Sequence, residues 1–265
     1  MEALVRVHAA AITRGELAWP VDRLPAIPSY ELSGVVETVG SSVAGLAPGD
    51  EVFALTRFDR DGVAADYTAV AADLLVPRPQ ILGHAESAAI PLPALTAWQG
   101  LFDHGRLHAG ERVLIQGAAG GVGGFAVQLA RTRGAHVIGT ASAAHLPSVL
   151  ELGADEAVDA STSFEDAVEP VDVVFDTAGG ELLRRSVSVL RAAGRLVSVA
   201  EEAPEGGVYF VVEPNRDQLT SIARLVDLGE LRPPSVETFP LTSAREAFAR
   251  SLERGRSAKA VLAVA

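Results

Sequence analysis

A mostly apolar run that ends in a cluster of glycines most constrains the fold of this chain. Residues 112–116 (RVLIQ) form the run, and residues 117–123 (GAAGGVG) follow it directly. Beyond the glycines, apolar side chains such as Ala126 and Leu129 recur at helical spacing, which predicts a helix over Gly121–Thr132. A strand, a glycine turn and a helix in this order are typical of a βαβ unit that binds a dinucleotide.

The spacing of the loop fits the pattern A-x-G-x-x-G, with Ala118 in the first position and Gly120 and Gly123 in the other two. Gly120 would let the backbone approach a pyrophosphate, and Gly123 would let the helix pack closely on the strand. The helix start supplies free N–H groups and a positive dipole end for the phosphates. The alternative is a tight strand-to-helix turn that binds no ligand.

The chain divides into three stretches. Residues 1–90 carry short alternating strands between Gly and Pro turns, which predicts a small irregular barrel; the candidates are 4–7, 33–39, 51–55 and 65–70. Residues 91–231 alternate strands with helices, which predicts a parallel sheet. Its further strands are His136–Thr140, Val171–Asp176, Arg195–Val199 and Val208–Val212, and its further helices are Ala143–Leu152, Gly180–Arg191 and Asn215–Leu228. Residues 232–265 hold a helix opening at 242–246 and a strand at 260–264, and we expect them to rejoin the first stretch.

Composition excludes several classes of function. The net charge of -12 disfavours binding to nucleic acid and to anionic membranes. The absence of cysteine excludes disulfides, thiolate nucleophiles and Cys-ligated zinc. The single lysine, Lys259, excludes a G-x-x-x-x-G-K-[ST] loop, and neither H-E-x-x-H nor G-x-S-x-G occurs. With no signal-peptide or membrane-helix pattern, we expect a cytoplasmic protein.

The strand after the glycine loop indicates the type of nicotinamide cofactor. An acid about 20 residues after the loop would bind the ribose hydroxyls of NAD. Here the strand ends at residues 139–142 (GTAS), and no acid follows until Glu151. Thr140 and Ser142 can donate hydrogen bonds to a 2′-phosphate, and His145 can add charge, so the sequence favours NADPH. Ser142 is also a candidate helix N-cap, and the two roles are compatible.

Further motifs accompany the loop, namely VRVHAA (5–10), IPSYELSGVV (27–36), PGDEV (48–52), GERVLI (110–115), LGAD (152–155), DVVFD (172–176) and GRLV (194–197). Together they resemble the medium-chain dehydrogenase/reductase superfamily, and within it the zinc-free, NADPH-dependent quinone oxidoreductase branch that includes zeta-crystallin. The resemblance implies a GroES-like β-rich catalytic domain (1–90 and 232–265) and an α/β Rossmann domain with a doubly wound parallel sheet (91–231). It also implies hydride transfer from NADPH to a quinone or an α,β-unsaturated carbonyl, usually in a homodimer.

The resemblance also suggests catalytic residues. Tyr30 stands where zinc members carry a ligand His, so no metal is expected, and Tyr30 is the first candidate to donate a proton or polarise the carbonyl. A buried, hydrogen-bonded tyrosine is the alternative, and solvent could supply the proton. Thr13, in Ile12–Glu16, stands where many relatives have the Asn of V-N-P-x-D and would face the nicotinamide or the substrate.

The expected cofactor-binding residues cluster around the loop and the carboxyl ends of strands, where ligands bind in open α/β sheets. Besides Thr140 and Ser142 they are Thr96 near the nicotinamide ribose, Ala119, Gly120, Gly121 and Val122 at the pyrophosphate, Thr177, Ala178 and Ala200 after strands, and Phe210 and Val211 near the carboxamide.

Three functions remain open. The first is an NADPH-dependent quinone or enone reductase, and the second is a specialised biosynthetic reductase or cyclase of the same fold. The third is a non-catalytic NADPH-binding relative. Relatives carry a β segment ahead of the position of Met1, which predicts a truncated start or a lost hairpin, and such a shortened relative could bind NADPH without turnover. The sequence does not name the physiological acceptor.

Overall fold

The computed structural model describes residues 1–20, 24–204, 206–253 and 258–264. They form two compact units. The first unit comprises Met1–Leu95 and Glu213–Ala265, and the second comprises Thr96–Val212.

The strands are β1 (Glu2–Ala11), β2 (Glu31–Val39), β3 (Glu51–Leu55), β4 (Tyr67–Ala71), β5 (Val76–Pro77), β6 (Arg112–Gln116), β7 (His136–Ala141), β8 (Glu156–Asp159), β9 (Val171–Asp176), β10 (Leu190–Ser198), β11 (Val208–Tyr209), β12 (Val236–Pro240) and β13 (Lys259–Ala263). The α-helices are α1 (His84–Ala88), α2 (Pro91–Trp98), α3 (Gly121–Thr132), α4 (Leu146–Glu151), α5 (Phe164–Ala167), α6 (Gly180–Ser186), α7 (Arg216–Asp227) and α8 (Ala244–Ser251). A π-helical segment (Gln99–His104) follows α2.

The first unit is built on a largely antiparallel sheet. Its strands run in the order β12-β13-β1-β2-β3-β5, and β4 pairs with β1. Exposed and buried residues alternate in the first half of β1, as in a strand with one covered face. Ala9 and Ala11 near its end are both buried, because they pack in an apolar cluster with Ala88 of α1. The predicted GroES-like, β-rich fold is confirmed.

The carboxyl-terminal part of the chain returns to this sheet. Strand β13 pairs with β1, with Leu262 opposite Ala10. The first unit resumes at Glu213, whereas the sequence predicted a return at residue 232. Helix α7 accounts for the difference, because Asp227 at its end accepts a hydrogen bond from the backbone N–H of Gln80 at 2.7 Å.

The second unit contains a parallel sheet in the order β11-β10-β9-β6-β7-β8. The side chains of β6, β7 and β9 are almost entirely buried, as expected for strands covered on both faces. The predicted α/β class with a Rossmann parallel sheet is confirmed. No helix in the described residues is long and apolar enough to cross a membrane.

A buried ion pair holds distant parts of the first unit together. The Glu31 side chain is fully buried, and its Oε1 accepts a hydrogen bond from the Lys259 ammonium of β13. The same oxygen accepts from the Thr13 hydroxyl at 3.2 Å, and Oε2 accepts from the backbone N–H of Leu92 at 2.8 Å. One carboxylate therefore fixes β13, the turn after β1 and the start of α2.

We expect Lys259→Met to lower the free energy of unfolding by about 3–5 kcal/mol, because it leaves the buried Glu31 carboxylate without its counter-charge. Urea denaturation followed by circular dichroism at pH 7 measures the change. The double variant Glu31→Gln/Lys259→Met removes both charges and should recover part of the loss. A double variant no more stable than Lys259→Met would contradict this explanation.

Candidate active site

The glycine loop starts at the end of β6 and runs directly into α3. Gly117 has a φ of 74°, a left-handed conformation that favours glycine. The first backbone bond of α3 runs from Gly124 N to Gly120 O at 2.8 Å. Three N–H groups at the helix start therefore lack an intrahelical partner and are available to an anion. They belong to Gly121, Val122 and Gly123.

Close packing beneath this loop requires glycine at two positions. A Cβ atom on Gly123 would lie 2.2 Å from the carbonyl oxygen of Gly117, so α3 approaches the loop as closely as the fingerprint predicts. A Cβ on Gly139 of β7 would lie 2.8 Å from the Cβ of Ala118 and 2.6 Å from Val149. A side chain at either position would displace the turn, so these glycines give the loop a shape that suits a pyrophosphate.

Thr140 supports the loop from below and faces the core. It is fully buried, and its hydroxyl donates to Oε1 of Gln116 while its carbonyl accepts from Ala118 N at 2.9 Å. The Gln116 amide donates in turn to Ser186 Oγ at 2.8 Å. The hydroxyl proton of Thr140 is thus committed inside the core, and its binding of the 2′-phosphate remains a prediction.

Ser142 is placed differently from Thr140. It is exposed, and its Oγ lies 2.9 Å from Nδ1 of His145. Ser142 precedes a short 3₁₀ turn, Ala143–His145, but its side chain makes no capping hydrogen bond. A hydroxyl and an imidazole therefore lie together at the end of β7, where the sequence predicts the groups that bind the 2′-phosphate.

The loops after β6 and β9 lie side by side. A Cβ on Gly117 would be 2.6 Å from the Thr177 hydroxyl and 3.6 Å from the Cβ of Ala178. Thr177 donates its hydroxyl proton to the carbonyl of Gln116 at 2.7 Å. The structure thus brings Thr177 and Ala178 next to the glycine loop. The hydroxyl proton of Thr177 is engaged by Gln116, so the hydroxyl could only accept a hydrogen bond from a ligand.

Asp176 organises the neighbouring loop and was not singled out from the sequence. Its buried carboxylate accepts hydrogen bonds from Gly179 N at 3.1 Å and from Ser198 Oγ at 2.9 Å, which connects β9 to β10. Burial raises the pKa of Asp176. Ala200 adjoins this loop, because a Cβ on Gly179 would lie 3.2 Å from its Cβ. An acid that ends a buried strand is the signal in the sequence that could have identified Asp176.

The remaining predicted cofactor residues of the second unit differ in accessibility. Thr96 in α2 is buried, and Val211 is 60% exposed. The Phe210 ring packs on His104, with ring centroids 4.3 Å apart. The backbone N–H of Phe210 donates to the carbonyl of Ser198 at 3.3 Å, which leaves the Phe210 carbonyl oxygen to face a carboxamide.

Tyr30 lies in the first unit, where its ring forms a cluster with two other aromatic rings. Its ring centroid is 6.0 Å from that of Trp19 and 5.0 Å from that of Phe58. Burial, followed by the negative charges of Glu16 and Asp61, raises the pKa of the phenol. Tyr30 is buried, but no described residue hydrogen-bonds its hydroxyl. Among the residues described, no group of three or more His, Asp or Glu side chains could hold a metal ion.

Thr13 lies in the same unit but is anchored at two points. Its hydroxyl donates to Glu31 at 3.2 Å, and its backbone N–H donates to Oε2 of Glu16 at 2.8 Å. The hydroxyl oxygen of Thr13 keeps its lone pairs for a ligand, whereas its proton points to Glu31. Thr13 could therefore accept, but not readily donate, a hydrogen bond.

Glu16 is a buried acid that sequence reasoning missed. It is 5% exposed, and its Oε1 accepts from the backbone N–H of Ser29 at 2.9 Å. Burial is the main reason that the pKa of Glu16 rises to about 7, with a smaller contribution from the charge of Glu31. Glu16 stands at the position of the Asp in V-N-P-x-D, and this match is the signal that could have identified it.

Two parts of the chain match known protein families. Residues 1–80 match the alcohol dehydrogenase GroES-like domain family, and residues 152–262 match the zinc-binding dehydrogenase family. The chain is 34% identical to an NADPH-dependent alkenal/one oxidoreductase of Arabidopsis thaliana, over 93% of this chain and 68% of that protein. It is 40% identical to the spectinabilin polyketide synthase system protein NorB of Streptomyces orinoci, over 86% of this chain and 11% of that protein.

Among solved structures, the quinone oxidoreductase from Coxiella burnetii superposes with a TM-score of 0.88 at 28% identity, covering 100% of this chain and 90% of that one. The match in sequence extends over both units, and so does the match in fold. The chain therefore belongs to the medium-chain dehydrogenase/reductase superfamily and is an NAD(P)H-dependent oxidoreductase of that family.

Proposed function

We propose that this protein is an NADPH-dependent reductase that transfers hydride to a quinone or an α,β-unsaturated carbonyl without zinc. The observation that carries the proposal is that no residue in the described part of the chain hydrogen-bonds the hydroxyl of Tyr30, at the position where zinc members have a ligand His. Relatives that are named as alkenal/one and quinone oxidoreductases support the acceptor class. The homodimer and the cytoplasmic location expected from the sequence remain predictions.

The cofactor would be held by the glycine loop and by the strand ends around it. The free N–H groups of Gly121 and Val122 would bind the pyrophosphate, and the exposed Gly120 would let it approach. NADPH, when bound, supplies the hydride. By resemblance, the further binding positions are Thr96, Ala119, Thr177, Ala178, Ala200, Phe210 and Val211.

The pair Ser142 and His145 supports NADPH rather than NADH. A hydroxyl and an imidazole can both donate to a 2′-phosphate, and a protonated imidazole adds a positive charge. No carboxylate on this segment competes for the ribose hydroxyls before Glu151. Thr140 is left out of this proposal because its hydroxyl is bound to Gln116.

Tyr30 would donate a hydrogen bond to the acceptor carbonyl. Because burial raises its pKa above the ordinary value of a phenol, Tyr30 keeps its proton at neutral pH. For an enone, the β-carbon gains the hydride and the α-carbon gains a proton, so the C=C bond is reduced. For a quinone, hydride and proton together give the hydroquinone. Trp19 and Phe58 offer aromatic surface beside the phenol for a planar acceptor.

A second candidate is a biosynthetic reductase that acts on one elaborate conjugated substrate. The 40% identity to a polyketide synthase system protein favours it. The two candidates share the cofactor site and the hydride step. They differ in the acceptor, because the biosynthetic enzyme would reduce small quinones and alkenals only slowly.

Two measurements on the purified protein test the proposed function. Fluorescence titration measures NADPH binding, and absorbance follows NADPH oxidation with a panel of quinones and 2-alkenals. We expect binding, turnover with a conjugated acceptor, and rates that a zinc chelator does not change. Binding without turnover on any acceptor would instead indicate a non-catalytic NADPH-binding protein. A protein that does not bind NADPH would contradict the cofactor site.

Gly120→Ala tests the pyrophosphate loop. The new Cβ would meet only the carbonyl oxygen of Gly117, at 3.2 Å, so we expect a loss of stability below about 1 kcal/mol but a roughly tenfold weaker affinity for NADPH. Gly123→Ala is the matched contrast, because its Cβ would lie 2.2 Å from the same oxygen and should cost about 1–3 kcal/mol of stability. Unchanged NADPH affinity in Gly120→Ala would show that no phosphate approaches there.

Ser142→Asp tests the choice of cofactor. A carboxylate beside the 2′-phosphate should weaken NADPH binding by roughly tenfold, whereas NADH, whose ribose hydroxyls it can bind, should bind at least as tightly as before. Titration of each cofactor measures the two dissociation constants. Ser188→Asp, which adds the same charge at another exposed serine of the second unit, should change neither. Equal effects of Ser142→Asp on NADPH and NADH would rule out a contact with the phosphate.

A further inference from the structure

One buried carboxyl group clamps both segments of the first unit that carry predicted catalytic residues. Glu16 Oε2 accepts from the backbone N–H of Thr13 at 2.8 Å, and Oε1 accepts from that of Ser29 at 2.9 Å. Ser29 directly precedes Tyr30 in the chain. Two backbone donors on one carboxyl require both of its oxygens as acceptors, a requirement that the ionised form meets fully.

Ser29 is an unusual residue held in a strained conformation. Its φ is 65°, which residues other than glycine rarely adopt. Its carbonyl accepts from Val63 N at 2.8 Å, so Glu16 and Val63 hold its backbone from both sides. Strain of this kind persists only where the surroundings fix the backbone. Loss of the bond from Ser29 to Glu16 would therefore let the segment leading to Tyr30 relax.

The Ser29 side chain gives the protonated carboxyl a second arrangement. Ser29 is fully buried, and its hydroxyl has no hydrogen-bond partner in the described part of the chain. A protonated Glu16 has a hydrogen to donate but can no longer accept well on both oxygens. The hydroxyl oxygen of Ser29 is an unused acceptor on a residue that already contacts Glu16. The Ser29 hydroxyl is therefore a candidate acceptor for the proton of a protonated Glu16.

The groups that act on Glu16 allow both states near neutral pH. Burial and the negative Glu31 favour the protonated form, whereas the two backbone bonds and the positive Lys259 favour the ionised form. The balance raises the pKa of Glu16 to about 7. Tyr30 responds to the outcome, because the charge of Glu16 contributes to the raised pKa of its phenol.

We propose that Glu16 is a positioning residue that fixes the Tyr30 segment when ionised and releases it when protonated. The inference rests on the proposed reductase function, because it assigns Tyr30 a part in the reaction. Ionisation of Glu16 restores both backbone bonds, so activity rises with pH along a single limb near pH 7. Tyr30 contributes no second limb in this range, because its own pKa lies higher.

Activity profiles against pH test the catalytic part of this proposal. We expect kcat/KM of the wild type to rise between pH 6 and 8. The Glu16→Gln side chain has only one accepting oxygen, so it loses one of the two backbone hydrogen bonds. Its kcat/KM at pH 8 should fall by roughly tenfold, the effect of one lost hydrogen bond to an ionised group, and should no longer depend on pH. Glu16→Asp keeps the negative charge and should show the rise of kcat/KM with pH again. The control Glu37→Gln, at an exposed position on β2, should leave the pH profile of the wild type unaltered.

A second readout needs no activity. The chain has two tryptophans, so Trp98→Phe leaves Trp19, which stacks on Tyr30, as the single tryptophan. We expect Trp19 emission to titrate near pH 7 in this background and to stay constant when Glu16→Gln is added. Ser29→Ala removes the acceptor for the protonated form and should lower the midpoint by about 0.5–1 unit.

The two readouts separate the failure of this proposal from that of the proposed function. If no acceptor is reduced but Trp19 emission titrates through Glu16, the reductase function is wrong and the coupling between Glu16 and Tyr30 stands. If Glu16→Gln keeps the pH limb of the activity or of the emission, Glu16 is not the switch. A Glu16→Asp variant without a limb would equally overturn the proposal.

Discussion

A carboxylate removed from water is the constraint on which the first unit depends. Glu31 is fully buried, and an unpaired charge there would be very costly. Lys259, Thr13 and the backbone of Leu92 satisfy it, although they lie far apart in the chain. Their convergence determines where the last strand, the turn after β1 and the start of α2 must lie. That turn carries Thr13, and β2 begins one residue after Tyr30, so the same ion pair places both predicted catalytic residues.

The second unit depends on close approach rather than on charge. Its loop can exist only where Gly117, Gly123 and Gly139 leave out side chains, because a Cβ at any of them would collide with neighbouring atoms. A buried polar network of Gln116, Thr140 and Ser186 then holds the loop from beneath. Steric exclusion shapes the loop, and hydrogen bonds keep the strand ends aligned, so the free N–H groups of α3 stay open to a phosphate.

The sequence predicted the buried strands of the parallel sheet, because they read as apolar runs: β6 and β9 have the predicted bounds, whereas the half-buried β8 was missed. It was weaker where helices are short. The predicted helix Ala143–Leu152 is a 3₁₀ turn followed by α4, and α6 ends at Ser186 rather than at residue 191.

Prediction of the candidate site from the sequence was limited in the same way. A threonine at a strand end satisfies a motif whether it faces a ligand or, like Thr140, the core. Glu16 was missed because burial, which sets its pKa, is a property of the fold.

In the proposed reductase a phenol stands where zinc members have a metal ligand, and this difference changes what the site requires of its surroundings. A zinc ion polarises a carbonyl as a Lewis acid, whereas a phenol does so only while it holds its proton. Burial and the charges of Glu16 and Asp61 keep the proton on Tyr30. The same burial favours the protonated form of Glu16 and raises its pKa to about 7, much closer to neutrality than the pKa of Tyr30. One apolar environment thus keeps the phenol protonated at neutral pH and brings the pKa of Glu16 to about 7, so under the proposed mechanism the pH dependence of the phenol's position arises from Glu16.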